Sequence, residues 1–427
     1  MSAAPWLSAV FPLAIAAETA TRLWLASRQI DAVRAHRDEV PAFFRGWISL
    51  PEQRKAADYS IARVQLGRVA APIEALIKAG LTSGGGIAAL DTLTRRCGWA
   101  EPWRGMLLIA GAFLVLQVLG LPFALWKVFR IEARFGFNRV TPGMFAADLA
   151  KRLLLVALLG GPLLLATLTL MSRAGTWWWL WVWLVWMAAS IGLTWGAPRF
   201  IAPLFNHFSP LADGELKQRV ERLLARCGYQ AQGGVFVMDG SRRTAHGNAY
   251  FTGIGRHKRI VFLDTLLARV DADEIEAVLA HELGHFRLKH IRQRLLLSMA
   301  STFACLLLLA VLAQAPAFYA ALGVPVPSPA AALLLFGVSL PVFTFFATPL
   351  ASWWSRRQEL AADHFAAAHA DAGKLIGALV KLYRDNASTL TPDRLHSAFY
   401  DSHPPAIERI TRLQPSSPPD LRGQPHR

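Results

Sequence analysis

The stretch YSIARVQLGRVAAPIEALIKAGLTSGGGIAAL, residues 59–90, decides whether this chain crosses a membrane six times or seven. On hydropathy alone it is an amphipathic surface helix, because it carries Arg63, Arg68, Glu74 and Lys78 and runs into Gly84-Gly85-Gly86. The charges around it argue for a crossing. The linker from Arg28 to Lys55 holds six basic residues, and so does the linker from Lys127 to Arg152. Basic linkers collect on the cytoplasmic side of a membrane. One apolar span, Pro5 to Ala26, leads into the first linker, and another, Gly105 to Trp126, leads into the second. One more crossing must lie between them, and residues 59–90 are the only candidate.

The composition supports a membrane setting. Of 427 residues 54% are hydrophobic and only 17% charged, with a mean hydropathy of +0.32. In so apolar a chain a net charge of +16 belongs to lipid-facing linkers rather than to nucleic-acid binding. Cys97, Cys227 and Cys305 are odd in number and far apart, which gives neither a disulfide framework nor a thiolate metal site. The apolar start meets Glu18 and Arg22 without a basic region before it, so it is expected to be a retained span rather than a signal peptide.

Four further stretches are long enough to cross: Leu153 to Met171, Trp177 to Trp195, Leu295 to Ala313 and Ala330 to Leu350. Alternation then puts residues 199–294 and 351–427 on the cytoplasmic side together, although Arg95, Arg96 and Arg104 fall on the outer face. The tryptophans from Trp177 to Trp186 are expected at the lipid surface and not in a ligand cage. The charges of the first two spans, Glu18, Arg22, Arg68, Glu74 and Lys78, point to a wet interior. Between the spans, periodicity predicts a helix from Asp213 to Cys227, strands over Gly234 to Met238, Asn248 to Thr252 and Arg259 to Leu263, and a helix from Asp273 into the His290 region, capped by Asp271 or Asp273. The division is therefore 1–198 with five spans, 199–294 and 351–414 as two parts of an α+β unit, 295–350 with two more spans, and 415–427 as a disordered tail.

HELGH, residues 281–285, places two imidazoles four apart on one helix face, the spacing of a zinc pair. Glu282, one step round the helix, can reach a water on the metal without being a ligand, as a general base does. Such a pattern also arises by accident. In SRRQELAAD, residues 355–363, Glu359 can supply the third ligand, and Asp363, four residues on, can accept the second N–H of a ligating histidine. The competing reading pairs these carboxylates with Arg356 and Arg357 on a surface.

Together these residues resemble the type I CaaX prenyl proteases, the a-factor-converting membrane metallopeptidases, and their bacterial relatives. The similarity extends to residues 134–139 (RFGFNR), 203–206 (PLFN), 246–251 (HGNAYF) and 402–405 (SHPP). It implies a mostly α, polytopic membrane protein: a seven-helix barrel around a water-filled chamber, closed by a gluzincin-like metallopeptidase domain. It implies one Zn2+ per chain on His281, His285 and Glu359, Glu282 as catalytic base, Asn248 holding substrate backbone, and His403 binding substrate or stabilising the oxyanion. The strand from Asn248 then becomes an edge for β-addition of a peptide. His207, His246, His290 and His364 match no ligand role. Leu360 stands where eukaryotic members commonly have Tyr. The Ala-, Leu-, Arg- and Trp-rich composition looks bacterial, which puts the chain in an inner membrane and leaves open whether its peptide or membrane-associated protein substrates are lipidated. Alternatives are a quality-control protease of the heat-shock type and a non-catalytic zinc-binding membrane protein.

Overall fold

The computed structural model describes residues 5–229, 234–252 and 259–414, so the tail expected at 415–427 lies outside the described residues. The first half is helical: α1 (Pro5–Ala35), α2 (Leu50–Leu81), α3 (Gly86–Arg95), α4 (Trp103–Leu125), α5 (Pro142–Leu155), α6 (Gly161–Arg173) and α7 (Trp178–Gly196). Then come β1 (Phe208–Pro210), α8 (Glu215–Arg226), β2 (Val235–Met238), β3 (Ala249–Thr252), β4 (Arg259–Leu263), α9 (Asp264–Leu267) and α10 (Ala272–Arg287). The remainder is α11 (His290–Leu312), α12 (Pro316–Ala321), α13 (Pro329–Thr344), α14 (Thr348–His369), α15 (Ala372–Asp385), α16 (Arg394–Tyr400) and α17 (Ala406–Leu413). Six helical runs are long and apolar enough to span a bilayer, and α2 with α3, bent by 47°, makes a seventh.

The charges of residues 59–90 are what permit that seventh run. Lys78 Nζ lies 2.7 Å from Glu18 Oε2, Arg22 Nη1 lies 2.7 Å from Glu74 Oε2, and Arg37 Nε lies 2.7 Å from Asp58. The α1 numbers rise as the α2 numbers fall, so the two helices are antiparallel. Glu18 is only 5% exposed. Ionised groups in hydrocarbon are tolerated when they face inward and pair, and here Glu18 and Arg22 of α1 pair with Lys78 and Glu74 of α2. Lys78→Met is expected to destabilise the detergent-solubilised protein by on the order of 3 kcal/mol, because it strips Glu18 of its closest partner. Adding Glu18→Gln should restore most of the thermal midpoint, and no recovery in the double variant would contradict the pairing.

The two ends of the bundle differ. At one, the turn after α2 meets the turn after α12 so closely that a Cβ on Gly323, at φ +75°, would lie 2.4 Å from the Thr82 carbonyl oxygen. On the same loop side Asp91 receives Arg95 and Arg104, and Glu101 also receives Arg104, so most of the positive charge there is neutralised locally. At the other end both basic linkers pack against the chain that follows α7. Phe44 and Ile48 of the first join Val380, Leu390, Ala406 and Ile410, and Ile131 and Phe137 of the second join Tyr59, Ala245 and Ala387.

The four-stranded sheet has the order β1-β2-β4-β3, with β2 and β4 parallel and both outer pairs antiparallel. One face packs on α8 and α10, where Leu223, Ile260, Phe262, Leu279 and Leu283 are almost fully buried. One strand is new and two expectations need correction. Strand β1 was not expected, since three residues are too few for alternation to register. The helix expected to run into His290 stops at Arg287, because Lys289 adopts a left-handed conformation (φ 60°) and α11 starts afresh. The span expected to end at Leu350 does not end there: α13 passes through one tight turn, Phe345–Ala347, into α14. Trp177 and Trp181 are exposed as expected of lipid-facing rings, whereas Trp183 donates to the Met299 carbonyl at 3.0 Å and the part-exposed Trp186 to Thr167 Oγ1 at 3.0 Å, tying α7 to α11 and α6.

Candidate metal centre

Helix α10 is set by its start: Asp271 caps it and Glu274 reaches back to the Asp271 N–H, a reciprocal capping box. From there His281 and His285 fall on the face turned to α14. The helices cross at Gly284, where an added Cβ would sit 3.0 Å from Ala362 Cα and 3.1 Å from Phe365 Cβ. The glycine of HELGH is thus the contact that lets two ligand-bearing helices approach. Gly284→Ala is expected to push them apart, costing about 1–3 kcal/mol of stability and weakening metal retention against a chelator. Unchanged retention would show that α10 and α14 can give way without moving the ligands.

Across this crossing His281 Nε2 lies 3.5 Å from Glu359 Oε2, and His285 Nε2 lies 3.4 Å from Glu359 Oε1. All three ligand atoms fall within 4.8 Å of one another. A metal bonded at ~2.0–2.1 Å in tetrahedral geometry would have ligand-to-ligand edges of about 3.4 Å, so these side chains stand where a zinc-sized ion would hold them. Glu359 Oε2 is buried and receives no well-aligned hydrogen bond, even with His403 Nδ1 at 2.8 Å. A buried carboxylate oxygen short of a donor is what a cation satisfies.

The outer partners are ordered too. Asp363 Oδ1 lies 2.8 Å from His281 Nδ1, which leaves Nε2 to face Glu359. Arg409 donates to both Asp363 oxygens, at 2.8 and 2.6 Å, and is itself 6% exposed. Burial disfavours charge on His281, but Asp363 and Glu359 outweigh it and push its pKa up to about 9. A metal ion would bind His281 through a deprotonated Nε2, with Nδ1–H kept on Asp363. His285 Nδ1 lies 3.0 Å from His290 Nδ1, so His290, which the sequence left without a role, supports the second ligand across the Lys289 break. Glu282 bonds to neither ligand side chain, and burial raises its carboxyl above the usual range although His281, His285 and His403 pull it down.

The competing reading of Glu359 and Asp363 fails on geometry. Arg356 donates instead to the carbonyls of Ser397 and Asp401, at 2.9 and 3.1 Å, and Arg357 lies over the Trp353 ring. Arg356 thereby fixes the segment that brings His403 to the cluster. Asn248 is exposed at the head of β3, the sheet's edge strand. His246 is no ligand: it stacks on Phe137 at 4.4 Å and meets Asn386, bracing the 134–139 loop. Leu360 is half-buried. A cavity of about 740 Å³ runs from His403 between α1 and α2 on one side and α15 to α17 on the other.

Comparison with known proteins agrees with this arrangement. Residues 29–207 match the family described as CAAX prenyl protease N-terminal, five membrane helices, and residues 210–416 match peptidase family M48. The chain is 34% identical over 306 residues to the CAAX prenyl protease 1 homolog of Arabidopsis thaliana, covering 71% of this chain and 72% of that one. With the human CAAX prenyl protease 1 homolog it shares 32% over 380 residues, 77% and 79% of the two chains. The crystal structure of S. mikatae Ste24p superposes with a TM-score of 0.88 at 27% identity, over 96% of this chain and 99% of that one. Sequence, membrane architecture and site geometry thus converge: the chain belongs to peptidase family M48 and is an integral-membrane metallopeptidase.

Proposed function

We propose that the protein is a zinc metalloendopeptidase acting on peptides or on the ends of membrane-associated proteins, with removal of a C-terminal CaaX tripeptide as its nearest known model. The observation that carries this reading is the His281, His285 and Glu359 cluster, with His281 and Glu359 buried and His285 partly so, and with Glu282 beside it and free of ligand duty. Two imidazoles and a carboxylate suit zinc, which when bound would polarise a peptide carbonyl and lower the pKa of a water. Glu282 takes the proton released as water attacks and delivers it to the leaving amine. His403, 60% exposed on its side chain and set in a segment anchored through Arg356, donates to the developing oxyanion or to substrate. Asn248 and the free edge of β3 hold substrate backbone as an added strand. Asp363, with Arg409 behind it, keeps His281 in one tautomer, and His290 orients His285.

The basic linkers pack on the end of the bundle that carries the metal cluster, which supports a cytoplasmic site in a bacterial inner membrane. Lipidation of the substrate is the finer question. Purified protein should cleave a farnesylated CaaX peptide, its unprenylated counterpart or casein, with Glu282→Ala as blank. Equal cleavage by both proteins would sink the catalytic assignment, and the ratio between the two peptides would decide whether the lipid is read.

A further inference from the structure

The 740 Å³ cavity that ends at His403 has an unbalanced wall. Its charged lining is three guanidinium groups, Arg22, Arg63 and Arg409, against one carboxylate, Asp401. Two of the three cations are committed: Arg22 to Glu74 and Glu18, and Arg409 to both oxygens of Asp363. Arg63 has no carboxylate within 4.0 Å among the described residues. It lies over the Tyr59 ring, 5.5 Å from its centroid, and Tyr59 is itself fixed by a 2.8 Å hydrogen bond from its hydroxyl to Glu132. The guanidinium is exposed and held at a pinned ring, where it meets the Tyr59 hydroxyl and its charge acts on Glu132, and its five N–H donors exceed what that one contact uses. A planar fork of N–H groups in that condition suits a two-oxygen anion.

We propose that Arg63 binds the free C-terminal carboxylate of a peptide lying in this cavity, and so sets how far from its end the substrate is cut. The proposal rests on the peptidase reading of the metal centre and deepens it. Arg63, on α2, and His403, which reaches Glu359 of the metal cluster from the segment between α16 and α17, line the same cavity from its two sides, and the Arg28–Asp393 ion pair ties α1 to the start of α16. A terminal carboxylate occurs once per chain. Fixing it at Arg63 fixes the number of residues between it and the bond at the metal, whatever their side chains. Ser60 beside Arg63, and Asn386 and Thr389 on the facing side, offer neutral hydrogen bonds to the intervening backbone.

The test uses the full-length protein in detergent and one peptide made as free acid and as C-terminal amide, cleaved near its end. The wild type should prefer the acid, and Arg63→Gln should lose that preference by about tenfold or more, chiefly through KM, as expected for a lost charge-assisted hydrogen bond. Arg63→Lys should restore part of it. Equal turnover of acid and amide by the wild type would overturn the proposal, as would an equal loss on both peptides in Arg63→Gln. A loss that appears only in vesicles with anionic lipid would assign Arg63 to a headgroup phosphate and overturn it too. Binding of the two peptides to Glu282→Ala protein separates the proposal from the peptidase reading: acid bound over amide supports Arg63 whether or not turnover is seen, and equal binding rejects it.

Discussion

Glu282→Gln is expected to lower kcat by roughly 10²–10⁴-fold while leaving the bound metal in place. The amide keeps the size and the hydrogen-bonding reach of the carboxylate but cannot take up a proton, so only the proton transfer is removed. His281, His285 and Glu359 are untouched, and metal content measured after dialysis should equal that of the wild type. KM should change little, since Glu282 is assigned no role in holding substrate. Loss of metal together with activity would mean that Glu282 supports the ligand set rather than the chemistry. Activity within a few fold of the wild type would remove it from the mechanism.

Arg409→Met is expected to be nearly as damaging by a different route. Arg409 is buried, holds both oxygens of Asp363, and is the charge that allows Asp363 to remain ionised beside His281. Removing one partner of a buried pair costs about 3–5 kcal/mol, because the other charge is left uncompensated. The thermal midpoint should fall, and the metal should be lost at lower chelator concentration as His281 becomes free to change tautomer. The double variant Arg409→Met with Asp363→Asn removes both charges at once, and its stability should recover relative to Arg409→Met alone while metal affinity stays weakened. Additive losses in the double variant would show that the two residues act independently.

Which parts of this centre could be read from sequence follows from how each part is encoded. HELGH and the Glu359 and Asp363 pair are written in helical spacing, so the ligands and one outer partner are legible as local patterns. Arg409 lies 46 residues beyond Asp363, and nothing in the intervening chain announces that α17 folds back onto α14. His290 was hidden by the backbone: a helix continued past Arg287 would point it elsewhere, and only the left-handed Lys289 returns it to His285. The second span was legible through charge parity and not through hydropathy, because the groups that compensate Lys78 and Glu74 sit about 50 to 60 residues earlier, in α1. The Arg residues of the 91–104 loop run against the same rule, and Asp91 and Glu101 pair with two of the three, Arg95 and Arg104.

The passage of α13 through a single turn into α14 has a mechanical meaning. The third ligand rides on a rod that begins inside the bilayer, and the two histidines ride on a helix that hands over at Lys289 to another such rod. A hydrophobic span answers a thinner or thicker bilayer by tilting or sliding. Each such adjustment acts on the crossing at Gly284 as a pair of tongs acts on what it grips. The thickness of the host membrane would thereby bear on the candidate metal cluster, through the lipids and not through any residue at the site.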